Sequence, residues 1–140
     1  MLLLLDTHVW LWSAEGDARR IGRRSRQLLL RAESREAIRL SPVTLFELSA
    51  LHTHGRVRLA RPLDQWVRDS LAAAGVRIAE LTPAIAVDAG HIPRAALADS
   101  LDRLLVATGR HLDAVFLTAD VGVLEYASKS SNVRVHDARA

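Results

Sequence analysis

The sequence contains no cysteine, and this absence excludes two kinds of site at once. A chain without thiols has no disulfide framework and no thiolate-bound metal. Long hydrophobic runs are also missing, since no apolar stretch approaches the roughly 20 residues of a membrane-spanning helix. The apolar run at residues 1–5 has no basic residues before it and is shorter than the ~7–15 residues of a signal-peptide core. Together these features predict a cytoplasmic protein without membrane contact.

Lysine is almost absent, because Lys129 is the only lysine among 19 basic residues and all the others are arginine. Arginine binds phosphate groups as a bidentate fork, so the arginines at positions 19–26 and 56–61 are candidates for contacts with a nucleic-acid backbone. A solvated surface explains each of them equally well, and the net charge is only +3. The remaining composition, with 49% hydrophobic and 25% charged residues in 140, is typical of one globular domain.

Short apolar runs alternate with helical patterns along the whole chain. The spacing predicts strands at residues 2–5, 37–40, 76–81, 114–117 and 133–135. It predicts helices at 9–14, 22–33, 42–55, 63–74, 83–90, 99–110 and 121–127. Alternation of this kind is typical of an α/β fold, a parallel sheet flanked by helices on both faces, here as a single domain over residues 1–140. In such sheets, binding sites lie at the carboxyl ends of the strands.

Four carboxylates lie beside or inside apolar runs: Asp6, Glu47, Asp102 and Asp120. A carboxylate next to buried structure is costly unless something compensates its charge. Asp6 and Asp120 each follow a predicted strand, and helical spacing turns Glu47 toward the interior together with Val43. Four such groups in one small domain predict a shared cation. Oxygen ligands favour Mg²⁺ or Mn²⁺, which makes a metal-dependent hydrolase the leading hypothesis.

Each acid also has an ordinary structural explanation. Asp6 and Asp120 precede predicted helices and are good N-cap residues. Asp99 lies one turn before Asp102 on the same helical face, where an N-cap role is expected, so it is at best an accessory residue. Glu47 could be paired with an arginine. The hypothesis therefore depends on the four acids together and not on any one of them.

Four segments containing these acids resemble the PIN domains, and among them the VapC-type toxins of bacterial toxin–antitoxin pairs. The segments are Leu3-Leu4-Leu5-Asp6-Thr7-His8, Phe46-Glu47-Leu48 after Ser41-Pro42, Asp99-Ser100-Leu101-Asp102, and Leu117-Thr118-Ala119-Asp120. The subfamily often has Asp-Pro-Phe-Asp where this chain has Asp99 to Asp102, and a His-Arg pair where it has Leu97-Ala98.

The resemblance implies an activity and a set of site residues. The activity is metal-dependent cleavage of RNA with Mg²⁺ or Mn²⁺. The resemblance makes Asp6, Asp102 and Asp120 the metal ligands and Glu47 the fourth catalytic acid. Thr7, Asp99 and Thr118 are accessory residues, with the Thr118 hydroxyl orienting Asp120.

The resemblance also implies partners: an RNA substrate, a cognate antitoxin protein and a second copy of the chain in a homodimer. Trp10 and Trp12, just after Asp6, are the candidates for an apolar contact with the antitoxin, although a core position explains them as well. His8 is a candidate RNA contact. The histidines at positions 52 and 54 do not share a helical face, so a histidine metal site is not expected.

Three alternative functions make different demands on the sequence. An aspartyl phosphatase of the haloacid dehalogenase type needs a second aspartate two residues after Asp6, where this chain has His8. A receiver domain needs a lysine on a late strand, and Lys129 lies in a polar stretch. A catalytically weak or inactive PIN-like module that binds RNA or protein stays open, although none of the four acids is missing.

Overall fold

A computed structural model describes all 140 residues and contains one five-stranded sheet. The strands are β1 (Leu3–Leu5), β2 (Ile38–Leu40), β3 (Val76–Ile78), β4 (Val115–Thr118) and β5 (Arg134–Asp137). Their order across the sheet is β3-β2-β1-β4-β5, and all neighbours are parallel. Leu3 lies opposite Ile38 on one side and Val115 on the other, so β1 is the central strand.

Seven α-helices connect and cover the strands. They are α1 (Thr7–Ala14), α2 (Arg23–Ser34), α3 (Pro42–Thr53), α4 (Leu63–Leu71), α5 (Pro83–His91), α6 (Ser100–Leu112) and α7 (Val121–Ser128). A short 3-10 helix lies at Ala18–Arg20. None of these helices is long and apolar enough to cross a bilayer. The predicted α/β fold is confirmed.

The residues of β1 divide the core into two layers, because neighbouring side chains of a strand point to opposite faces. Leu3 and Leu5 pack in the larger hydrophobic cluster, which includes Trp10 and Trp66. Leu4 packs in a second cluster on the other face, with residues of α6 and α7. Both faces of β1 are therefore covered, which explains why this strand is an uninterrupted apolar run.

Several predicted boundaries differ from the structure. Helix α1 begins at Thr7 and not at residue 9, because the Asp6 side chain accepts the Thr7 N–H and caps the helix there. Strand β3 ends at Ile78 and not at residue 81, because this edge strand pairs only with the three residues of β2. Helix α4 ends at Leu71, three residues early, since the chain needs residues 72–75 to turn into β3.

The order in which strands are added to the sheet reverses between β1 and β4, although the two strands are parallel. Strands β2 and β3 extend from β1 toward one edge, whereas β4 and β5 form the other. The connections that leave the carboxyl ends of β1 and β4 therefore diverge and leave a crevice between them. Asp6 follows β1 and Asp120 follows β4, so the topology brings both predicted acids to this crevice.

Candidate active site

Five carboxylates line one pocket of about 450 Å³ at the carboxyl edge of the sheet. The pocket contains all four acids predicted from the sequence together with Asp99. Its remaining wall comes from α1 and from the start of α7. The full lining is Asp6, His8, Trp12, Glu47, Asp99, Asp102, Ala119, Asp120, Val121 and Gly122. Four separate segments of the chain thus contribute acids to a single concave site.

Three hydrogen bonds fix the backbone N–H and the carboxylate of Asp6, and the residue is only 8% exposed. Its backbone N–H donates to the carbonyl of Leu117 at 3.0 Å, which fixes the end of β1 against β4. Its Oδ1 accepts the Thr7 N–H at 2.8 Å, and its Oδ2 accepts the Thr118 hydroxyl. Asp6 is therefore both a helix cap and a pocket residue, so the two sequence-based explanations of this acid hold together.

Thr118 holds two of the acids at once. Its hydroxyl donates to Asp6 and accepts the backbone N–H of Asp120 at 3.0 Å. The Asp120 Oδ1 in turn accepts the Val123 N–H at 3.0 Å and caps α7. The sequence predicted a contact between Thr118 and Asp120 only. The direct contact with Asp6 was missed because it crosses from β4 to the neighbouring strand.

Glu47 lies in the second turn of α3 and reaches the pocket from the β2 side of the sheet. The sequence predicted that it points into the apolar interior, and this is wrong: Glu47 is half-buried at the pocket wall. The Thr7 hydroxyl donates to its Oε1. No arginine forms an ion pair with Glu47, so pairing with an arginine does not explain this residue.

Asp99 and Asp102 come from the start of α6. This helix leads into β4 and so runs against the strand direction, which puts its N-terminus at the carboxyl edge of the sheet. Asp99 caps the helix, since its Oδ1 accepts the Leu101 N–H at 2.8 Å. Asp102 is one turn further in and is 9% exposed. The more buried of the two acids is the one predicted as a metal ligand, and the exposed one is the predicted accessory residue.

The five carboxylates have no compensating cation. The ion pairs of the chain involve Asp17, Glu36, Asp69, Asp88, Asp113 and Asp137, none of which lies in the pocket. Burial raises the pKa of Asp102 to about 8, and the negative charges of Asp120, Asp99, Asp6 and Glu47 add to this rise. In the metal-free pocket, burial and the neighbouring charges therefore favour the protonated form of Asp102.

Burial also raises the pKa of Asp6, and the charges of Glu47 and Asp120 act in the same direction. The hydrogen bonds from Thr118 and Thr7 oppose this effect, because they favour the ionised carboxylate. Because the effect of burial is larger than that of the hydrogen bonds, the ionised carboxylate of Asp6 is poorly solvated. Such a carboxylate is stabilised by any cation that enters the pocket.

A divalent metal fits the pocket by its donor chemistry. All five acids offer oxygen ligands, and their charges have no partner within the protein. No group of three or more acidic or histidine side chains is close enough to form a ready-made metal cage. Mg²⁺ does not require such a cage, because it commonly binds through one or two carboxylates and keeps several waters.

The two tryptophans of α1 have different environments. Trp10 is 3% exposed and packs edge-to-face on Trp66, with 5.0 Å between ring centroids. The prediction that Trp10 could contact a partner is therefore wrong, because its ring is in the core. Trp12 is half-buried and lines the pocket with His8. His8 and Trp12 are four residues apart in the sequence, and this spacing predicts that they share one face of α1.

The candidate arginines do not form one surface. Arg61 pairs with Asp69 at 2.7 Å. Arg26 donates to the carbonyl of Ala18 at 3.0 Å, which ties α2 to the 3-10 helix. Arg20, Arg56 and Arg58 line a separate cleft beside the acidic pocket, and the other arginines of the 19–26 group do not reach it.

The chain is thus an α/β domain with a parallel sheet and an acidic pocket at the point where the strand order reverses. The sequence model of the PIN-domain family matches residues 3–129, and the chain belongs to this family.

Among characterised proteins, the chain is similar to Ribonuclease VapC22 of Mycobacterium tuberculosis. The two are 33% identical over 107 residues, which is 76% of this chain and 77% of that protein.

Solved structures with the same fold come from three bacteria. A chain of VapBC2 from Rickettsia felis, bound to a DNA fragment from its promoter, matches with a TM-score of 0.69 at 13% identity, covering 97% of this chain and 98% of that one. DNA-bound VapBC from Salmonella typhimurium gives 0.65 at 19% identity, covering 98% of each. FitAcB from Neisseria gonorrhoeae gives 0.61 at 20% identity, covering 97% of each. These likenesses agree with the fold described above.

Proposed function

We propose that this chain is a metal-dependent endoribonuclease that acts as the toxin of a toxin–antitoxin pair. The observation that carries the proposal is the pocket of five carboxylates without a compensating cation, in a chain of the PIN-domain family. The similarity to Ribonuclease VapC22 supports RNA as the substrate and VapC as the type of toxin.

The proposed metal ligands are Asp6, Asp102 and Asp120, with Mg²⁺ or Mn²⁺ as the ion. Bound there, the ion supplies an activated water and offsets the negative charge that develops on the phosphate. Asp102 must lose its proton before it can act as a ligand. Thr118 maintains the relative position of Asp6 and Asp120, because one hydroxyl contacts both residues.

Glu47 is the proposed residue that orients the attacking water or completes the ligand set. Its Oε1 accepts the Thr7 hydroxyl, which leaves Oε2 available to the pocket. Thr7 follows Asp6 directly and is fully buried, so the position of Glu47 is linked to that of Asp6. Asp99 is an accessory residue: it caps α6 and adds negative charge without being buried beside the other acids.

An antitoxin fits the same pocket by charge. Without metal, five carboxylates repel one another, and a lysine or arginine from a partner protein would replace the missing positive charge. Trp12 remains a candidate for the apolar part of that contact, since it is accessible at the pocket wall and Trp10 is not. The homodimer expected from the family resemblance stays a prediction.

The test compares Asp6→Asn with Asp64→Asn on a fluorescent single-stranded RNA. Asp64 is an exposed acid in the first turn of α4 and does not line the pocket, so its variant is a matched control for the loss of one charge. The parent and Asp64→Asn are expected to cleave in Mg²⁺ and to stop when EDTA is added. Asp6→Asn should cleave at least ~100-fold more slowly while its circular dichroism is unchanged.

Expression in a bacterial host gives a second readout of the same variants. The parent and Asp64→Asn should arrest growth, and Asp6→Asn should not. Cleavage by Asp6→Asn at the parental rate would refute the assignment of the site.

A binding module without nuclease activity is the second candidate. The observation in its favour is that no three of the acids stand close enough to form a ready-made cage. RNA that stays intact with the parent protein in both Mg²⁺ and Mn²⁺, despite binding, would select this candidate.

A further inference from the structure

A second cleft, of about 360 Å³, opens directly beside the acidic pocket. The two cavities share the side chains of His8 and Trp12, so they form one continuous path along the surface of α1. The far side of the second cleft is formed by Arg20, Arg56 and Arg58. We refer to these three residues with Trp12 as the arginine cleft.

The positive charges of Arg56 and Arg58 are available to a ligand. Both residues are exposed, and neither forms an ion pair or a side-chain hydrogen bond within the chain. The nearby acids are already engaged. Glu15 accepts the Trp66 indole N–H at 2.8 Å and the backbone N–H of Ala60 at 3.1 Å.

Arg20 is held only by one exposed ion pair. It pairs with Asp17 at 2.9 Å, and its side chain is 62% exposed. An exposed pair of this kind contributes little stability. The Arg20 guanidinium lies over the Trp12 ring, 5.8 Å from its centroid. A planar ligand can therefore displace the Arg20 guanidinium from the Trp12 ring with little loss of interaction energy. The displaced guanidinium is then free to bind an anion.

Trp12 is the only tryptophan that a ligand can reach. The other two, Trp10 and Trp66, are 3% and 0% exposed and pack on each other in the core. An accessible indole next to unpaired arginines is the combination by which proteins bind single-stranded nucleic acid: the ring stacks on a base and the cations contact the phosphates. Double-stranded RNA keeps its bases stacked and cannot offer one to an indole.

We propose that the arginine cleft binds the unpaired nucleotides next to the phosphate that enters the acidic pocket. In this arrangement Trp12 stacks on a base, and Arg56 and Arg58 contact the following phosphates. The inference rests on the proposed nuclease function, because it takes the acidic pocket as the place of cleavage. It adds which side chains hold the nucleotides next to the cut.

The test measures binding separately from cleavage. All proteins carry Asp6→Asn, so that the RNA is not consumed, and a 12-nucleotide single-stranded RNA is titrated in Mg²⁺ while tryptophan emission is recorded. Stacking on Trp12 should quench that emission, since the other two indoles are buried. Trp12→Phe keeps an aromatic face and should bind within about 3-fold of the background protein, without the quench. Trp12→Ala should bind about 5- to 160-fold more weakly, which is the range for one stacked base.

The arginines are tested by the salt dependence of the same binding. Each phosphate contact to a single strand contributes about 0.7 to the slope of log K against log salt concentration. The double variant Arg56→Ala/Arg58→Ala should therefore make that negative slope shallower by about 1.4. Arg35→Ala is the matched control, because Arg35 lies beside Met1 and Leu3 in a groove at the opposite end of β1. Its slope should not change.

The outcomes separate this inference from the proposed function. Parent protein that cleaves RNA, together with unchanged binding by Trp12→Ala and by the arginine double variant, would overturn the arginine cleft and leave the nuclease assignment intact. A background protein that does not bind RNA would overturn the arginine cleft, and a parent protein that also leaves RNA intact would overturn the nuclease assignment with it. Quenching by an acidic peptide but not by RNA would overturn the inference in favour of a protein ligand. Folding of each variant is checked by its melting temperature.

Discussion

Replacing Asp102 by asparagine should stabilise the metal-free protein, and more so as the pH rises. Burial and four neighbouring acids raise the pKa of Asp102 from 3.8 to about 8. The folded protein therefore holds a proton on this carboxyl over a pH range in which the unfolded chain has released it. Asparagine has nearly the same shape and carries no charge at any pH.

The direction of the pH dependence follows from the two ionisation states. Below about pH 4 the carboxyl is protonated in both folded and unfolded chains, and it does not affect stability. Between pH 4 and about 8 the unfolded chain gains ionised Asp102 while the folded chain does not, so the free energy of unfolding falls. Above about pH 8 the loss is complete.

The size of the effect is bounded by the pKa difference. At about 1.4 kcal/mol per pKa unit, the shift from 3.8 to about 8 gives an upper limit near 6 kcal/mol. Asp102 lines an open pocket that solvent can enter and where counter-ions can screen its charge, so we expect about 1–3 kcal/mol at pH 8. At pH 5 the difference should be less than about 1 kcal/mol.

The assay is urea unfolding of the parent, Asp102→Asn and the control Asp64→Asn in EDTA at pH 5 and pH 8. Repeating it in Mg²⁺ adds a second criterion, because the ion should stabilise the parent more than Asp102→Asn and so reduce the difference. Equal stability of Asp102→Asn and the parent at pH 8, or a difference that does not change with pH, would show that Asp102 is not the destabilised acid. A similar gain in Asp64→Asn would show a general charge effect.

Two further predictions concern positions outside the group of acids. Thr118→Val removes the hydroxyl that joins Asp6 and Asp120, so it should slow RNA cleavage and cost about 1–3 kcal/mol in urea unfolding, whereas Thr118→Ser should retain both properties. Gly75→Ala should lower the melting temperature markedly, because Gly75 has φ +80° and an added Cβ would lie 2.4 Å from the Glu33 carbonyl oxygen. Gly90→Ala is its control, since nothing lies within 4 Å of that position, and any drop as large as that of Gly75→Ala would contradict the steric argument.

The order and type of the elements followed from the chain alone. Ser41 caps α3 through the Val43 N–H, Thr82 caps α5, and proline follows each cap at the first helical position. These are local interactions between residues at most three apart, so the sequence contains all that is needed to predict them. The same holds for β1, whose apolar run reflects coverage of both sheet faces.

The environments of the two tryptophans could not be predicted in this way. Trp10 and Trp12 are two residues apart in one short helix, and both are large and aromatic. Their different environments depend on Trp66, which lies 54 residues after Trp12. Trp66 packs on Trp10 in the core, whereas Trp12 remains at the pocket wall. A contact between residues so far apart in sequence leaves no periodic signal.

The sequence by itself determined which acids the chain has and that two of them end strands of a parallel sheet, because a buried strand followed by a carboxylate is a local pattern. Only the tertiary structure decided that the four acids share one pocket with no cation. That result requires the strand order β3-β2-β1-β4-β5, which makes β1 and β4 neighbours, and the reverse run of α6, which brings Asp102 to the same edge. Strand order is set by packing across the whole sheet, and no single segment contains it.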